Sequence, residues 1–339
     1  SEMCIRDRLL KDEDNESIYC RTLLFATDNE LWIGTESGAY IYNLRTGKYT
    51  HLRSSEYDPY SLSDNAIYSF CKDREDGIWI GSYFGGVNYY PRSYTHFEKY
   101  YPKGEENSLH GKRVREFCRD NYGVLWIGTE DGGLNRFNLN TKEFSFFAPS
   151  AGFTNIHGLC LVDDKLWVGT FSKGLKIIDT RTGTVLKTYQ KNSSPRSLID
   201  NSIFAICRTA TGDIYLGTMF GLVKYNKQSD DFDRIPELNG KFVYDIKEDS
   251  GGNIWLATYA NGAYCYNVND RKWKNYVHDE KDTTSLSYNK VSSIFEDSYH
   301  RIWLTTQGGG FCLFHPESET FTSYNSTDGL PSDVVYQIV

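Results

Sequence analysis

Between residues 17 and 327 the chain runs through short apolar stretches parted by polar turns, and the same order returns seven times. Each copy opens on an apolar run such as "AIYSFCKD" (66–73), "RVREFCRD" (113–120), "SIFAICRT" (202–209) or "KVSSIFED" (290–297). A turn follows, then an unbroken run around one aromatic, a Gly-rich turn, a third short run, and a fourth that alternates, as in "EFSFFAP" or "TFTSYNS". Unbroken runs predict strands covered on both faces, and alternation predicts a half-buried outer strand.

The second and third runs make a recurring word. It reads "ELWIGTESGAYIYN" (30–43), "GIWIGSYFGGVNYY" (77–90), "VLWIGTEDGGLNRF" (124–137), "KLWVGTFSKGLKII" (165–178), "DIYLGTMFGLVKYN" (213–226), "NIWLATYANGAYCYN" (253–267) and "RIWLTTQGGGFCLF" (301–314). Its anchor aromatics are Trp32, Trp79, Trp126, Trp167, Tyr215, Trp255 and Trp303, spaced by 40 to 48 residues. Four antiparallel strands at that period are the blade of a β-propeller. A single blade cannot cover both of its faces, so blades must stack. The expectation is an all-β, seven-bladed β-propeller of four-stranded antiparallel blades over 17–327, with each anchor wedged between blades as a structural residue. Tandem sandwiches would not repeat one four-strand word seven times.

The ends depart from the period. "SEMCIRDRLLKDEDNE" (1–16) has no apolar core or cleavage site of a signal peptide. It reads as a non-native or disordered leader, a translated cloning remnant outside the fold. Residues 328–339, with "LPSDVVYQIV", read as the first strand of an eighth repeat, which either closes the ring or begins a second propeller.

Composition narrows function mostly by exclusion. Aromatics at 15% with only 8 Pro suit short strands and tight turns. A net charge of -8 argues against nucleic acid or anionic membrane as partners of this region. No run is long and apolar enough to span a bilayer as a helix. The seven His are scattered and no Cys-x-x-Cys occurs, so neither a metal site nor a cofactor is expected. Cys71, Cys118, Cys160 and Cys207 recur on the first strand and read as small hydrophobes without disulfides. No nucleophile elbow or P-loop is present, and no catalytic residue is assigned. The pairs Glu248–Asp249 and Glu296–Asp297 fall on a repeat turn and read as turn formers. "EDSGGNIW" (248–255) approaches a sialidase Asp-box, but Asp249 lies six residues before Trp255, not five.

Chain reversal at each turn puts the fourth-to-first connections and the second-to-third hairpin turns on one face. That face carries the residues in which the copies differ, and variable loops on a rigid scaffold are where binding concentrates. The candidate ligand-binding residues are Tyr83, Phe84, Glu130, Asp131, Phe171, Phe220, Tyr259, Asn261 and Gln307, with Met219 beside them. Aromatic rings beside acids and amides suit a sugar, the ring stacking on a pyranose and the polar groups taking its hydroxyls. Arg113 and Arg115 lie near this face and read first as ion-pair formers.

The repeated pattern "SLSxNxVxSIxEDxxGxLWIGTxxGGLxxYN", best kept in 61–90 and 285–314, resembles the two-component regulator propeller repeat over about 17–339. Tyr215 in place of Trp and the "ATYANG" and "TTQGGG" turns depart from it. The resemblance implies the periplasmic sensor region of a hybrid histidine kinase anchored in the inner membrane. It further implies an oligosaccharide ligand, a homodimer in the parent protein, and output to glycan-utilisation genes. The chain itself is expected to be no enzyme. The alternatives are a protein-interaction scaffold and a propeller-fold carbohydrate-active enzyme.

Overall fold

The computed structural model describes residues 19–58, 60–92, 98–104 and 106–338. The leader expected at 1–16 lies outside them. Every regular element among the described residues is a strand or a short 3-10 turn. The strands form antiparallel sheets whose strand order follows the chain, six with four strands and one with three. The three-stranded sheet is the second; its expected fourth strand, at 96–101, falls partly on residues outside those described.

The chain divides into two compact units, one up to Ser108 and one from Leu109. The first unit holds two sheets. Sheet 1 comprises Cys20–Thr27, Glu30–Thr35, Ala39–Asn43 and Tyr49–Leu52. Sheet 2 comprises Ile67–Lys72, Ile78–Ser82 and Val87–Tyr90. The second unit holds sheets 3 to 7, whose first strands are Val114–Arg119, Ile156–Val162, Ile203–Arg208, Val243–Glu248 and Val291–Glu296.

The core of each unit lies between neighbouring sheets, as stacked blades require. In the first unit Trp32 packs with Ile67, Ile78 and Ile80 of sheet 2, edge-on to Phe70 at 5.7 Å and Tyr90 at 5.0 Å. In the second unit Trp126 joins Ile156, Leu166 and Ile178 of the next sheet. Trp167, Tyr215 and Trp255 repeat the contact one sheet further each time. Large side chains buried in this way contribute about 1.5–3 kcal/mol each. Trp79 departs from the expectation of burial, being 45% exposed, and Trp303 is half-buried. Each stands on the last sheet of its unit, and no later sheet of that unit covers it.

The repeated words are contact instructions. The Gly of "WIGT" lies against the first strand of the following sheet. A Cβ on Gly169 would sit 2.8 Å from Cγ2 of Ile203, and one on Gly217 would sit 2.8 Å from Cγ1 of Val243. The Asp six residues before the anchor closes its turn and caps the indole. Asp120 accepts from the amides of Tyr122 and Val124 and from Trp126 Nε1 at 2.9 Å. Asp249 and Asp297 do the same for Trp255 and Trp303, so the near Asp-box is a structural clamp. The Glu before each of them reaches back one sheet, Glu248 to the Ala210 amide and Glu296 to the Ser250 amide. In "SLSxN" the Leu is buried, as at Leu62, Leu198 and Leu286. The Asn oxygen accepts an amide from the end of the preceding sheet, as Asn201 does from Lys191 and Asn289 from His278.

Candidate binding site

Hairpin turns and inter-sheet connections do share a face within each unit. Ser63 Oγ donates to the Gly85 carbonyl, Asp131 accepts from the Lys112 amide, and Gly262 donates to the Asn289 carbonyl. The first strands begin at this face, and all seven carry an irregularity in the same place. Pairing with the second strand slips between residues one and three, for instance between Ile203 and Ala205 or Val243 and Asp245. The residue skipped is Arg21, Tyr68, Arg115, His157, Phe204, Tyr244 or Ser292. A β-bulge of this kind re-aims one side chain out of the alternation. These seven bulged side chains are of five types, whereas the residue before each is Ile or Val in six of the seven sheets.

In the second unit the bulged residues border a cavity of about 330 Å³. Arg115, His157, Phe204, Tyr244 and Ser292 line it with Glu116 and Asp245 from the next positions on their strands. His157 meets Phe204 at 4.6 Å between ring centroids, and Phe204 meets Phe242 at 4.4 Å and Tyr244 at 5.9 Å. Arg115 lies 5.4 Å from the Tyr244 ring centre and pairs with Glu130 at 3.2 Å.

Burial sets the charges here. It pushes the Glu116 carboxyl up to about 8, against the pull of Arg115, so the group is mostly protonated at neutral pH. Burial, with Arg115 nearby, pushes His157 down to about 3, leaving a neutral imidazole. Burial also raises Asp245, whose oxygens accept from the Ile294 amide at 3.0 Å and the Ile246 amide at 2.8 Å, tying sheet 6 to sheet 7. Both ring nitrogens of His157 are buried without a protein partner, so this imidazole orients no nucleophile. The arrangement offers hydrogen bonds and aromatic faces to a bound molecule.

The residues expected from sequence divide around this site. Glu130 holds Arg115; Phe171 lies 5.8 Å from His157 and 6.0 Å from Phe204. Tyr259 stacks on Phe242 at 5.3 Å, with Lys290 over its ring at 4.1 Å. Glu130 and Phe171 thus lie one contact from the cavity wall, and Tyr259 reaches it through Phe242. Arg113 and Arg115 both pair with Glu130, as ion pairing predicted. Asp131 is occupied by the Lys112 and Arg113 amides, which hold its carboxyl below the usual range despite burial. Phe220 is exposed, and Asn261 donates its backbone N–H to Thr258 Oγ1. Gln307 bridges to Val334. In the first unit Tyr83 stacks on bulged Tyr68 at 5.0 Å, and Phe84 is 87% exposed. Sequence reasoning missed His157, Phe204, Tyr244, Glu116 and Asp245. The signal was there: the second place of each first strand changes from copy to copy while the residue before it is Ile or Val in six of the seven.

Antiparallel sheets in chain order, packed face to face within each unit and bulged at the same place on each first strand, are the blades of a β-propeller. Residues 61–84, 108–131, 237–260 and 285–308 match the model of the two component regulator propeller. Four of the seven repeats, the second, third, sixth and seventh, thus carry the match to that family. A relative, histidine kinase P4 of Formosa agariphila, is 24% identical over 180 residues, covering 50% of this chain and 13% of the kinase. A similar structure, PorZ, a surface component of the type-IX secretion system of Porphyromonas gingivalis, has a TM-score of 0.52 at 12% identity. The match covers 93% of this chain and 52% of PorZ, and the likeness is one of fold. A structure described as the extracellular domain of a hybrid two component system, BT3049 of B. thetaiotaomicron, has a TM-score of 0.49 at 22% identity. It is matched over 96% of this chain and 50% of its own. The chain thus spans about half the length of these solved structures.

Proposed function

We propose that this chain is the extracytoplasmic ligand-sensing module of a hybrid two-component regulator. In this reading it stands in the periplasm, detects an oligosaccharide and acts on glycan-utilisation genes through a histidine kinase borne elsewhere in an inner-membrane parent. The observation that carries the reading is the match of four repeats to the two component regulator propeller model, alongside a histidine kinase among the relatives. The site geometry supports binding over catalysis, since the unpartnered His157 imidazole is neutral and no nucleophile is activated beside it. Ligand would act by favouring one arrangement of the sensor region in a homodimer, a population shift passed to the kinase.

The test is a library of glycan-derived oligosaccharides screened against the purified chain by thermal melting, with product analysis of each mixture. A ligand at 100 times its Kd adds about 2.7 kcal/mol of stability. A stabilising oligosaccharide recovered intact supports the reading. Cleavage of the oligosaccharide, or no stabilisation across the library, overturns it.

A further inference from the structure

We propose that the groove between sheets 4 and 5, on the face opposite the hairpin tips, is a docking site for an acidic peptide segment of a partner protein, with one apolar side chain as its anchor. This goes beyond the sensing reading above and does not rest on it, since the groove shares no lining residue with the inner cavity.

Turns from both sheets frame the groove. On sheet 4 the turn after Ile156–Val162 brings Asp163 and Lys165 to its edge. On sheet 5 the turn before Ile214–Thr218 brings Thr211 and Asp213, and the turn after Gly221–Asn226 brings Lys227 and Gln228. These are first-to-second and third-to-fourth turns, which chain reversal puts on the face away from the bulges. The groove encloses about 720 Å³, against about 330 Å³ for the inner cavity. Trp167 and Tyr225 meet edge-on at 5.0 Å and form its apolar wall with Val162. Val162 and Tyr225 are half-buried, so a side chain laid on them removes further apolar surface from water.

Charge selects what fits there. Every acid that lines the groove is already matched: Asp163 by Arg208 at 3.2 Å, Asp213 by Lys224 at 2.7 Å and Asp233 by Arg196 at 3.0 Å. Lys165 and Lys227 line it with no carboxylate partner among the described residues. The unmatched charge is therefore positive, and it attracts carboxylates. The Gln228 side chain also lacks a partner there, and its amide offers a donor and an acceptor to a peptide bond. A similar groove between sheets 6 and 7 has no cation to spare. Asp249, Glu296 and Glu319 line it, and its His300 and Arg301 pair with Glu296 at 3.1 Å and Asp297 at 2.7 Å. The margins favour a peptide over a long, regular polyanion. Asp164 and Asp230 stand in the turns that bound the groove, so a nucleic acid or sulfated chain running past the two lysines meets acids. A peptide sets carboxylates at the lysines and an apolar residue at Tyr225.

The experiment uses the whole chain and a set of fluorescein-labelled octapeptides rich in Glu and Asp around Leu or Phe, read by fluorescence polarisation. At least one should bind, and its counterpart with Gln and Asn for the acids should bind about tenfold more weakly or worse. Raising salt from about 50 to about 300 mM should weaken the complex several-fold, because exposed charges are screened. Lys165→Glu with Lys227→Glu should weaken it about tenfold or more. Lys272→Glu with Lys281→Glu makes the same charge change outside the groove and should leave affinity within about twofold. All four lysines are exposed, and thermal melts check that both double variants fold. Absence of binding by every acidic peptide, or equal loss in the two double variants, overturns the proposal. So does a heparin hexasaccharide held through Lys165 and Lys227 more tightly than any peptide, or self-association of the chain that the groove variant abolishes and no peptide displaces.

Discussion

Asp120 offers the sharpest test of how the repeats hold together. It is 5% exposed and accepts three hydrogen bonds, from the Tyr122 amide at 2.8 Å, the Val124 amide at 2.9 Å and Trp126 Nε1 at 2.9 Å. Trp126 is fully buried and Val124 nearly so. In Asp120→Ala those two donors lose their acceptor where water does not reach, while Tyr122, 40% exposed, finds solvent. A buried donor left unmet costs about 1–3 kcal/mol, so the loss should be on the order of 4 kcal/mol. For a unit of this size that lowers the melting temperature by about 8–16 °C. The second unit's transition, followed by circular dichroism and tryptophan fluorescence, reports it. Asp73 is the internal control. It makes the same bonds to the Gly77 amide and to Trp79 Nε1, but Trp79 is 45% exposed and water replaces the lost acceptor. Asp73→Ala should therefore cost about 1 kcal/mol or less at the indole. Equal losses at the two sites, or a negligible loss at Asp120, would refute the burial argument.

Four further outcomes follow from the packing and the electrostatics. Gly169→Val, whose Cβ would meet Ile203 at 2.8 Å, should destabilise the second unit by about 1–3 kcal/mol, with partial rescue by Ile203→Ala in a denaturant titration. Glu116 has its folded pKa raised to about 8 from 4.5. Its contribution is complete below pH 4.5 and is lost as pH rises through 8, so stability should decline across that window and Glu116→Gln should flatten the decline. His157 works in the other direction. Its folded pKa is lowered from 6.5 to about 3, so its contribution is present above pH 6.5 and lost as pH falls toward 3. His157→Gln should remove that acid-side slope in pH-dependent melts. Burial pushes the Cys118, Cys160 and Cys207 thiols up to about 11. They should resist alkylation near neutral pH until the chain is denatured; rapid native labelling, seen by peptide mass spectrometry, would contradict their placement.

The repeat word was legible because its constraints are local or reach only to the next copy. An Asp six residues from a Trp closes one turn, a Gly makes room for one β-branched neighbour, and the Asn of "SLSxN" ties one connection. Repetition exposes each of these without coordinates, so the all-β class and the strand order could be read from the chain. The role of Arg113 and Arg115 was also in reach, since Glu130 lies on the facing hairpin. The site was only half legible. The variable hairpin tips were visible as variation, yet Phe220 and Asn261 are not among the residues that line the cavity. His157, Phe204 and Tyr244 were hidden among inner-strand residues. A sequence pattern assumes strict alternation, and the bulge breaks it at the place where the side chain turns inward. Burial decided the rest. The same Trp is covered in one sheet and exposed in another, and Glu116 and His157 lose their charges through surroundings assembled from strands more than a hundred residues apart. The chain alone thus determined the repeated unit and its contacts with the next. Only the tertiary structure decided which unlike residues meet, because that meeting depends on how several copies stack and on water being kept out.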